Sequence, residues 1–214
     1  MINISNIAND TPHIIFKNYF EQALKNNQKN IEAISISSFD IDSNEVESRM
    51  VNLKYIKNNE WIFFSNYESL KAKNFSSHSQ ISALLFWQSI NIQVRIKAKI
   101  FKTTSQFSDE HYKSRTVEKN ALARSSMQSQ KIDVYDSVVK NYNNILKDSS
   151  KFENRPSNWG GYSFIPYYFE FWEGHKSRLN KRDVYEMKSN KWNHNSTNVR
   201  RVRQMGTLES LDPL

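Results

Sequence analysis

Apolar residues recur along the chain at two different spacings, and these predict a domain of mixed helices and strands. Between Pro12 and Asn27 they follow the helical period, which indicates an amphipathic helix. From Ile92 to Thr103 apolar and basic residues alternate, which is typical of a strand with one face in water. Further strands are predicted on similar grounds at residues 31–37, 47–56, 61–65, 80–87, 162–172, 178–187 and 190–192.

Short helices are predicted between the strands and in the middle of the chain. They cover residues 69–75, 109–115, 120–127 and 133–147. Ser69 and Asp133 are the expected N-caps of the first and the last of these. Six or seven of these strands in adjacent hairpins, with helices inserted, predict an α+β fold built on an antiparallel β-barrel. We expect one domain, preceded by a flexible N-terminus at residues 1–11.

Charge and composition narrow the classes of function. With 214 residues and 13% aromatic side chains, the chain can bury one sizeable core. Its 30 basic and 22 acidic side chains give a net charge of +8, which is compatible with nucleic acid, an anionic membrane or phosphorylated small molecules as partners. A non-catalytic basic binding module is therefore one hypothesis, although the charge is spread along the chain rather than concentrated in one stripe.

Missing residue types and motifs exclude several kinds of chemistry. The absence of cysteine excludes disulfides, thiolate catalysis and cysteine-ligated metal sites. The five histidines lack ligand spacing, so no metal centre is expected, and neither Gly-x-Ser-x-Gly nor a Gly-rich nucleotide motif occurs. No secretory signal or membrane-spanning apolar run is visible, so we expect a soluble cytoplasmic protein. An enzyme of this composition would draw its chemistry from a bound organic cofactor.

The stretch from Asn158 to Arg182 concentrates residue types that are rare in this chain. Three of the four glycines and two of the five tryptophans fall within it. The pair Gly160-Gly161 indicates backbone that a side chain would crowd. Arg178 and Arg182 are expected on one face of a continuing strand, where guanidinium groups beside aromatic rings would suit a flat anionic ligand. A buried aromatic strand with a solvated charged end is the alternative.

Basic residues also lie at the ends of predicted strands. Arg49 and Lys54 flank the second strand, Lys71 opens the short helix after the third, and Ser65 lies between them. Such residues near a helix start can form a phosphate site. An ordinary solvated strand edge would show the same residues, and both interpretations stay open at this point.

Several segments, taken in order, resemble the pyridoxamine 5′-phosphate oxidase family over about residues 10–192. They are Ser48-Arg49-Met50-Val51-Asn52-Leu53-Lys54, Phe63-Phe64-Ser65-Asn66 with Lys71-Ala72, Leu84-Leu85-Phe86-Trp87, Gln93-Val94, Ser114-Arg115, Gln128-Ser129, Asn158-Trp159-Gly160-Gly161-Tyr162, Glu170-Phe171-Trp172 and Arg178-Leu179. The resemblance implies a homodimeric split β-barrel with peripheral helices and FMN at the subunit interface. It places the domain at residues 12–193 and leaves residues 194–214 as an atypical C-terminal tail.

The resemblance also assigns residues to two ligands. It implies FMN contacts from Arg49, Lys54, Phe64, Ser65, Lys71, Gln93, Gln128, Ser129, Trp172 and Arg182. It implies substrate contacts from Lys54, His111, Arg115, Lys119, Arg178 and Asn180. The implied reaction is oxidation of pyridoxamine or pyridoxine 5′-phosphate at its C4′ carbon by hydride transfer to FMN. O2 then reoxidises the flavin and gives H2O2, and no protein nucleophile is required.

Departures from the family pattern lie mostly on the substrate side. They are Leu70 for an arginine, His111 for a tyrosine, Lys119 for a serine, Leu122 for a glycine and Asn180 for a histidine. An FMN-dependent oxidase of another ring, as in the phenazine-biosynthesis branch, is therefore an alternative hypothesis. Retention of Lys54, Arg115 and Arg178 favours a phosphorylated pyridine.

Overall fold

One mostly antiparallel sheet contains all of the strands in the part of the chain that the structure describes. The computed structural model describes residues 1–125, 135–147, 152 and 154–196. Its strands are β1 (Asn3–Ser5), β2 (Ala33–Asp40), β3 (Glu45–Lys57), β4 (Glu60–Asn66), β5 (Gln80–Trp87), β6 (Ile92–Lys102), β7 (Trp159–Glu173), β8 (Lys181–Lys188) and β9 (Lys191–Ser196). Its helices are α1 (Thr11–Lys25), α2 (Leu70–Ser77), α3 (Ser105–Ser114), α4 (Val117–Ser125) and α5 (Tyr135–Leu146), with a 3₁₀ turn at Gln88–Ile90.

Six of these strands close into a barrel. Strands β3, β2, β5, β6, β7 and β4 pair antiparallel in that order, and β4 pairs back with β3. Strand β7 changes partner along its length, because residues 159–164 pair with β4 and residues 168–173 with β8. Strand β9 extends the sheet further to Ser196, inside the segment predicted as a tail. This confirms the predicted α+β fold, an antiparallel barrel that is split where β7 changes partner.

Alternate strand residues and one face of α1 fill the barrel. Every second residue of β5, and of β6 from Ile92 to Ile100, is buried, as the alternation predicted. Helix α1 packs Phe16 into this core, with its ring centroid 4.4 Å from that of Trp61 and 5.3 Å from that of Trp87. Large rings bury much apolar area each, so a chain with 38% hydrophobic residues still forms a large main core, beside a small second cluster that contains Tyr112 and Trp159.

Some element ends differ from the predictions. Helix α3 begins at Ser105, earlier than predicted, because the Thr104 hydroxyl accepts a hydrogen bond from the Phe107 N–H at 3.2 Å and caps it. The start predicted as flexible includes β1, which pairs in parallel with the end of β3. The predicted cap Asp133 lies outside the described residues, and α5 is described from Tyr135. None of the described helices has the length and apolar character needed to cross a membrane.

Candidate functional site

Two basic side chains from neighbouring elements, Arg49 and Lys71, form a first cationic cluster. Arg49 lies on β3, and its guanidinium donates to Ser38 Oγ at 2.7 Å and to the Glu47 carboxylate at 2.8 Å. Lys71 lies in the first turn of α2 and is only 6% exposed. Its ammonium donates to Ser69 Oγ at 3.1 Å and makes no ion pair with any residue that the structure describes. We call Arg49 and Lys71 the β3–α2 cation pair.

The electrostatics of Lys71 favour an anionic ligand. Burial, and after it the charge of Arg49, lowers the pKa of Lys71 from its ordinary value of 10.5 to about 8. A buried ammonium beside a second cation is unfavourable unless an anion offsets the charge. Ser65 and Ser69 are buried nearby in sequence, and the Ser69 hydroxyl donates to the Asn66 carbonyl instead of capping α2. The β3–α2 cation pair therefore has the chemistry of a phosphate site.

A β-bulge in β3 begins a second cluster. The register with β4 shifts between Leu53 and Tyr55, which leaves Lys54 as the extra residue. Leu53 and Ile56 are buried, whereas Lys54 and Tyr55 between them are only half-buried. The bulge thus turns two adjacent side chains away from the core. Simple alternation would have placed only Lys54 outside.

His111, from α3, lies at the centre of this second cluster. Its ring stacks on that of Phe64, with centroids 3.7 Å and planes 14° apart. The Trp159 ring lies nearly parallel to both, with centroids 5.2 Å from Phe64 and 6.2 Å from His111. The Tyr55 hydroxyl and His111 Nδ1 are hydrogen bonded at 2.8 Å. Stacking fixes the plane of the imidazole, and the hydrogen bond fixes its orientation within that plane.

Three cations lie around His111. Burial, followed by the charges of Arg115, Lys54 and Lys119, lowers the pKa of His111 to about 4. The imidazole is therefore neutral at neutral pH. The Arg115 guanidinium lies 4.3 Å from the Trp159 ring centroid, and its Nη2 donates to the Lys119 carbonyl at 2.7 Å. Its Nη1 is buried without a hydrogen-bond partner among the described residues. We call Lys54, His111, Arg115 and Lys119 the His111 cluster.

Three further predicted cofactor residues lie in one row across the sheet. Gln93 of β6 pairs with Trp172 of β7, which pairs with Arg182 of β8. Arg182 Nη1 lies 3.2 Å from the buried Glu170 carboxylate, which is also 3.5 Å from Arg95. The Nε of Arg182 is buried and lacks a hydrogen-bond partner within the described ranges. Because directly paired residues share a face, the row presents an amide, an indole and a guanidinium together.

The prediction that Arg178 and Arg182 share one strand face is wrong. Strand β8 begins at Lys181, and Arg178 lies in the preceding loop with a φ of 59° and an N–H bonded to the His175 carbonyl at 2.9 Å. A left-handed turn residue cannot continue the two-residue alternation of a strand. Asn180 belongs to the same loop, since its Oδ1 accepts from the His175 N–H at 2.9 Å. The Arg178 side chain is exposed.

The remaining predicted positions fall into two groups. Gln128 and Ser129 lie outside the described residues. Leu70 and Leu122, two of the departures from the family pattern, are exposed to 38% and 57%. Neither leucine can supply the charge or hydrogen bond of the residue type that it replaces.

Sequence reasoning missed Tyr55 and did not assign Trp159 to a ligand. Tyr55 reaches His111 only because of the bulge, and a bulge depends on the pairing of two strands rather than on one segment. Trp159 enters the cluster by stacking with residues from β4 and α3. Trp159 lies far from Phe64 and His111 in the sequence, so no spacing pattern indicated these contacts.

The arrangement can bind two anionic groups and a flat ring system. The β3–α2 cation pair and the His111 cluster are separate sets of donors, each with a buried donor group that lacks a carboxylate partner among the described residues. The row of Gln93, Trp172 and Arg182 offers polar and aromatic contacts to a planar ligand. Guanidinium, ammonium and neutral imidazole donors suit phosphate oxygens.

Comparison with known proteins identifies relatives over most of the chain. The model of the pyridoxine 5′-phosphate oxidase C-terminal dimerisation region matches residues 159–196. The pyridoxine/pyridoxamine 5′-phosphate oxidase of Legionella pneumophila strain Lens is 32% identical over 188 residues, covering 87% of each protein. The enzyme of the same name from Rhodopirellula baltica is 32% identical over 197 residues, covering 87% of this chain and 86% of that protein.

Two solved structures share the fold. PhzG from Burkholderia lata 383, in complex with tetrahydrophenazine-1-carboxylic acid, gives a TM-score of 0.81 at 22% identity over 87% of this chain and 92% of that chain. A pyridoxamine 5′-phosphate oxidase-related FMN binding protein from Nostoc punctiforme PCC 73102 gives 0.71 at 12% identity over 86% and 97%. At such identities the structures establish the fold, while the 32% identity to the curated enzymes establishes kinship. The chain belongs to the pyridoxine/pyridoxamine 5′-phosphate oxidase family.

Proposed function

We propose that this chain is a cytoplasmic FMN-dependent oxidase that converts pyridoxine 5′-phosphate, or pyridoxamine 5′-phosphate with uptake of water and release of ammonia, to pyridoxal 5′-phosphate, with O2 reduced to H2O2. The observation that carries the proposal is the presence of two separate cationic clusters in one domain. Cofactor and substrate each bear a phosphate, so this reaction requires two such sites. The names of the relatives at 32% identity support the same activity.

The β3–α2 cation pair fits the phosphate of FMN. Glu47 already pairs with Arg49, whereas the buried ammonium of Lys71 makes no ion pair with a described carboxylate, so a phosphate would offset the charge of Lys71. The unpartnered Nε of Arg182 fits a polar group of the same cofactor, beside Gln93 and Trp172. Further proposed FMN contacts are Lys54, Phe64, Ser65, Gln128 and Ser129.

The His111 cluster fits the phosphate of the substrate. The buried Nη1 of Arg115 is a donor without a described partner, and Lys54 and Lys119 add charge. Three cations suit a phosphate dianion better than a carboxylate, which carries only one negative charge. Arg178 and Asn180, on the loop between β7 and β8, complete the proposed substrate contacts.

The side chains bind and orient the reactants rather than form bonds with them. When bound, FMN supplies the hydride acceptor and the route for electrons to O2. The two cationic clusters hold the two phosphates at fixed positions, which sets how the attached rings can lie against each other. The stacked rings of Phe64, His111 and Trp159 give the proposed substrate-phosphate end one aromatic side.

We also propose that the active form is a homodimer. The matched dimerisation region covers β7, β8 and β9. Met50 and Leu84 lie on one outer face of the sheet, because both pair directly with Ser35, and they are 62% and 37% exposed. Phe86, two residues further on β5, is 52% exposed on the same face. An apolar face of this kind indicates a protein partner.

Asn180 and His111 favour one alternative, an FMN-dependent oxidase of a different ring. The Asn180 amide is bonded within its own loop, and His111 adds no charge at neutral pH. PhzG, which shares the fold, holds a ring with a carboxylate. On this alternative, the double variant Asn180→His, His111→Tyr gains oxidase activity on the B6 phosphates that the parent lacks.

The proposal is tested by loading the purified protein with FMN and supplying pyridoxamine or pyridoxine 5′-phosphate. We expect pyridoxal 5′-phosphate and H2O2 in equal amounts. A flavin-loaded preparation that leaves both substrates unchanged contradicts the proposed substrate and favours another ring. A colourless protein that takes up no FMN would contradict the proposal of an FMN-dependent enzyme. It would favour a non-catalytic basic binding module, which would bind nucleic acid in a salt-dependent way.

A further inference from the structure

Tyr55 makes one side-chain hydrogen bond in the described part of the chain, and its partner is Nδ1 of His111. The two atoms are 2.8 Å apart. The Tyr55 ring also packs edge-on against His111 and Phe107, with centroids 5.4 Å away in each case. The phenol is therefore held by packing as well as by its hydroxyl. Its position follows from the bulge, which turns Tyr55 toward α3.

This hydrogen bond has a direction that can be inferred from the partners on each side. A neutral imidazole carries one N–H, on either Nδ1 or Nε2. If Nδ1 carried it, the Tyr55 hydroxyl would accept, and its own proton would lack an acceptor among the described residues. If Tyr55 donates to Nδ1 instead, both groups are satisfied and Nε2 carries the N–H. The second arrangement leaves no unused proton on the phenol.

The surroundings of His111 then contain donors in excess. Lys54, Lys119 and the buried Nη1 of Arg115 all present N–H groups, and the Nη1 lacks a described acceptor. An Nε2–H adds a fourth donor without adding charge. Donors that lie close together and exceed the described acceptors can be satisfied by an anion with several oxygens.

We propose that Tyr55 is a positioning residue that holds His111 as an Nε2–H donor to the anionic end of the substrate. Tyr55 and His111 together present the neutral hydrogen-bond donor that a tyrosine at position 111 would present alone. The identity of the substrate in this role rests on the proposed function. The tautomer of His111 and the binding of an anion do not depend on it. Tyr55 touches neither the cofactor nor the reacting carbon in this scheme and acts through His111.

The first test is the tautomer of His111 in the FMN-loaded protein labelled with ¹⁵N-histidine. Nitrogen chemical shifts distinguish a protonated Nε2 from a protonated Nδ1, and His111→Phe identifies the signals. We expect Nε2–H in the parent protein and a mixture of tautomers in Tyr55→Phe, which keeps the ring contacts and loses the hydroxyl. Protonation at Nδ1 in the parent, or an unchanged tautomer in Tyr55→Phe, would overturn the proposal.

The second test is the affinity for inorganic phosphate, measured by the shift of the His111 nitrogen signals and by protein fluorescence. Tyr55→Phe should weaken phosphate binding about three- to tenfold, the value of one hydrogen bond. His111→Phe should weaken it at least as much, and adding Tyr55→Phe to His111→Phe should cost nothing further, since the two residues act as a unit. Equal phosphate affinity in Tyr55→Phe and the parent contradicts the proposal.

Tyr67→Phe is the matched control. Its hydroxyl is also half-buried and bonded, but to the Gly161 carbonyl at 3.2 Å rather than to His111. It should leave the tautomer and the phosphate affinity as they are in the parent. If Tyr55→Phe does not fold, the tautomer of the parent protein and the phosphate affinity of His111→Phe still decide the matter.

Kinetics separate this inference from the proposed function. With pyridoxine 5′-phosphate, Tyr55→Phe should raise KM by the same three- to tenfold and leave kcat nearly unchanged, because the contact is made before and during the reaction alike. A protein that ignores B6 phosphates but shows the expected tautomer and phosphate affinity would refute the proposed substrate and sustain the role of Tyr55.

Discussion

At the scale of single residues, positive charge is placed where burial makes it costly. Lys71 is nearly inaccessible beside Arg49, and Arg115 buries one guanidinium nitrogen without a described acceptor. Protein interiors rarely keep such groups unless a ligand offsets the cost. Stability and ligand binding should therefore respond in opposite directions when these groups are removed.

Lys71→Met tests this opposition directly. Loss of the ammonium should weaken FMN binding about ten- to a hundredfold, the value of a charged hydrogen bond. The apoprotein should become more stable by about 1–3 kcal/mol, since a desolvated charge is removed. Fluorescence titration with FMN and denaturant unfolding measure the two effects. Lys73→Met, at an exposed position of the same helix, is the control and should change neither.

The pH dependence of FMN binding should carry the signature of Lys71. Its ammonium is charged below about pH 8 and loses its proton above that value. FMN affinity should therefore fall as the pH rises through about 8, and Lys71→Arg should remove this decline because arginine stays charged. A Kd that is flat through this range in the parent protein would contradict the assignment of Lys71 to the phosphate.

Apoprotein stability should respond to the same group with the opposite sign. The pKa of Lys71 is about 8 in the folded protein and about 10.5 when unfolded, so the unfolded chain binds more protons between these values. This group therefore makes folding more favourable as the pH rises through that window. The stability advantage of Lys71→Met over the parent should shrink between neutral pH and about pH 10.

Arg115→Lys tests the substrate end of the site. Lysine keeps the charge but loses the planar contact with Trp159 and the second donor nitrogen. We expect the KM for pyridoxine 5′-phosphate to rise about tenfold, with a smaller change in kcat. Lys113→Met removes an exposed charge in the last turn of α3, two residues before Arg115, and should leave this KM nearly unchanged. An unchanged KM in Arg115→Lys would remove Arg115 from the phosphate site.

At the scale of elements, the site depends on close approaches between strands and helices. A Cβ at Gly161 would lie 2.5 Å from Thr103 Oγ1 and 3.1 Å from Phe64 Cε1, which confirms the expected crowding. Gly161→Ala should destabilise the protein by about 1–3 kcal/mol. Adding Thr103→Ala should recover part of this loss in an unfolding titration. Gly174→Ala, whose Cβ would meet only the side chain of exposed Asn91, should cost less.

The sequence predicted regular elements well and their irregularities poorly. The bounds of β5 agree with the alternation of residues 80–87, because one buried face leaves a period-two pattern. The segment from Arg178 to Lys181 also looked like strand, yet the left-handed φ of Arg178 interrupts it. The bulge at Lys54 depends on which strand lies beside β3 and so could not be read from one segment.

Some parts of the candidate site were likewise predictable from the sequence and others were not. The resemblance indicated Lys54, His111, Arg115 and Lys119 by order alone, and the structure places the three cations around the neutral imidazole. Tyr55 follows from a bulge and a tertiary hydrogen bond, which neither spacing nor resemblance indicated. The grouping of these four side chains was thus predictable from the resemblance, whereas contacts created by irregular backbone were not.

At the scale of the whole molecule, the outer face of the barrel should join two copies. Phe86→Glu places a charge on the proposed interface and should convert the dimer to a monomer with weaker FMN binding, since burying an unpaired charge is costly. Sedimentation or light scattering measures the change in mass. Leu179→Glu, a 77% exposed loop position, is the control and should stay dimeric. A dimeric Phe86→Glu would contradict this choice of face.

The function proposed for the whole molecule is tested most directly without oxygen. FMN-loaded protein is mixed anaerobically with pyridoxamine 5′-phosphate, and the visible absorbance of the flavin is followed. We expect the yellow colour to be lost as one pyridoxal 5′-phosphate forms per flavin, and to return when air is admitted. A flavin that stays oxidised with both pyridoxamine and pyridoxine 5′-phosphate would contradict the proposed reaction.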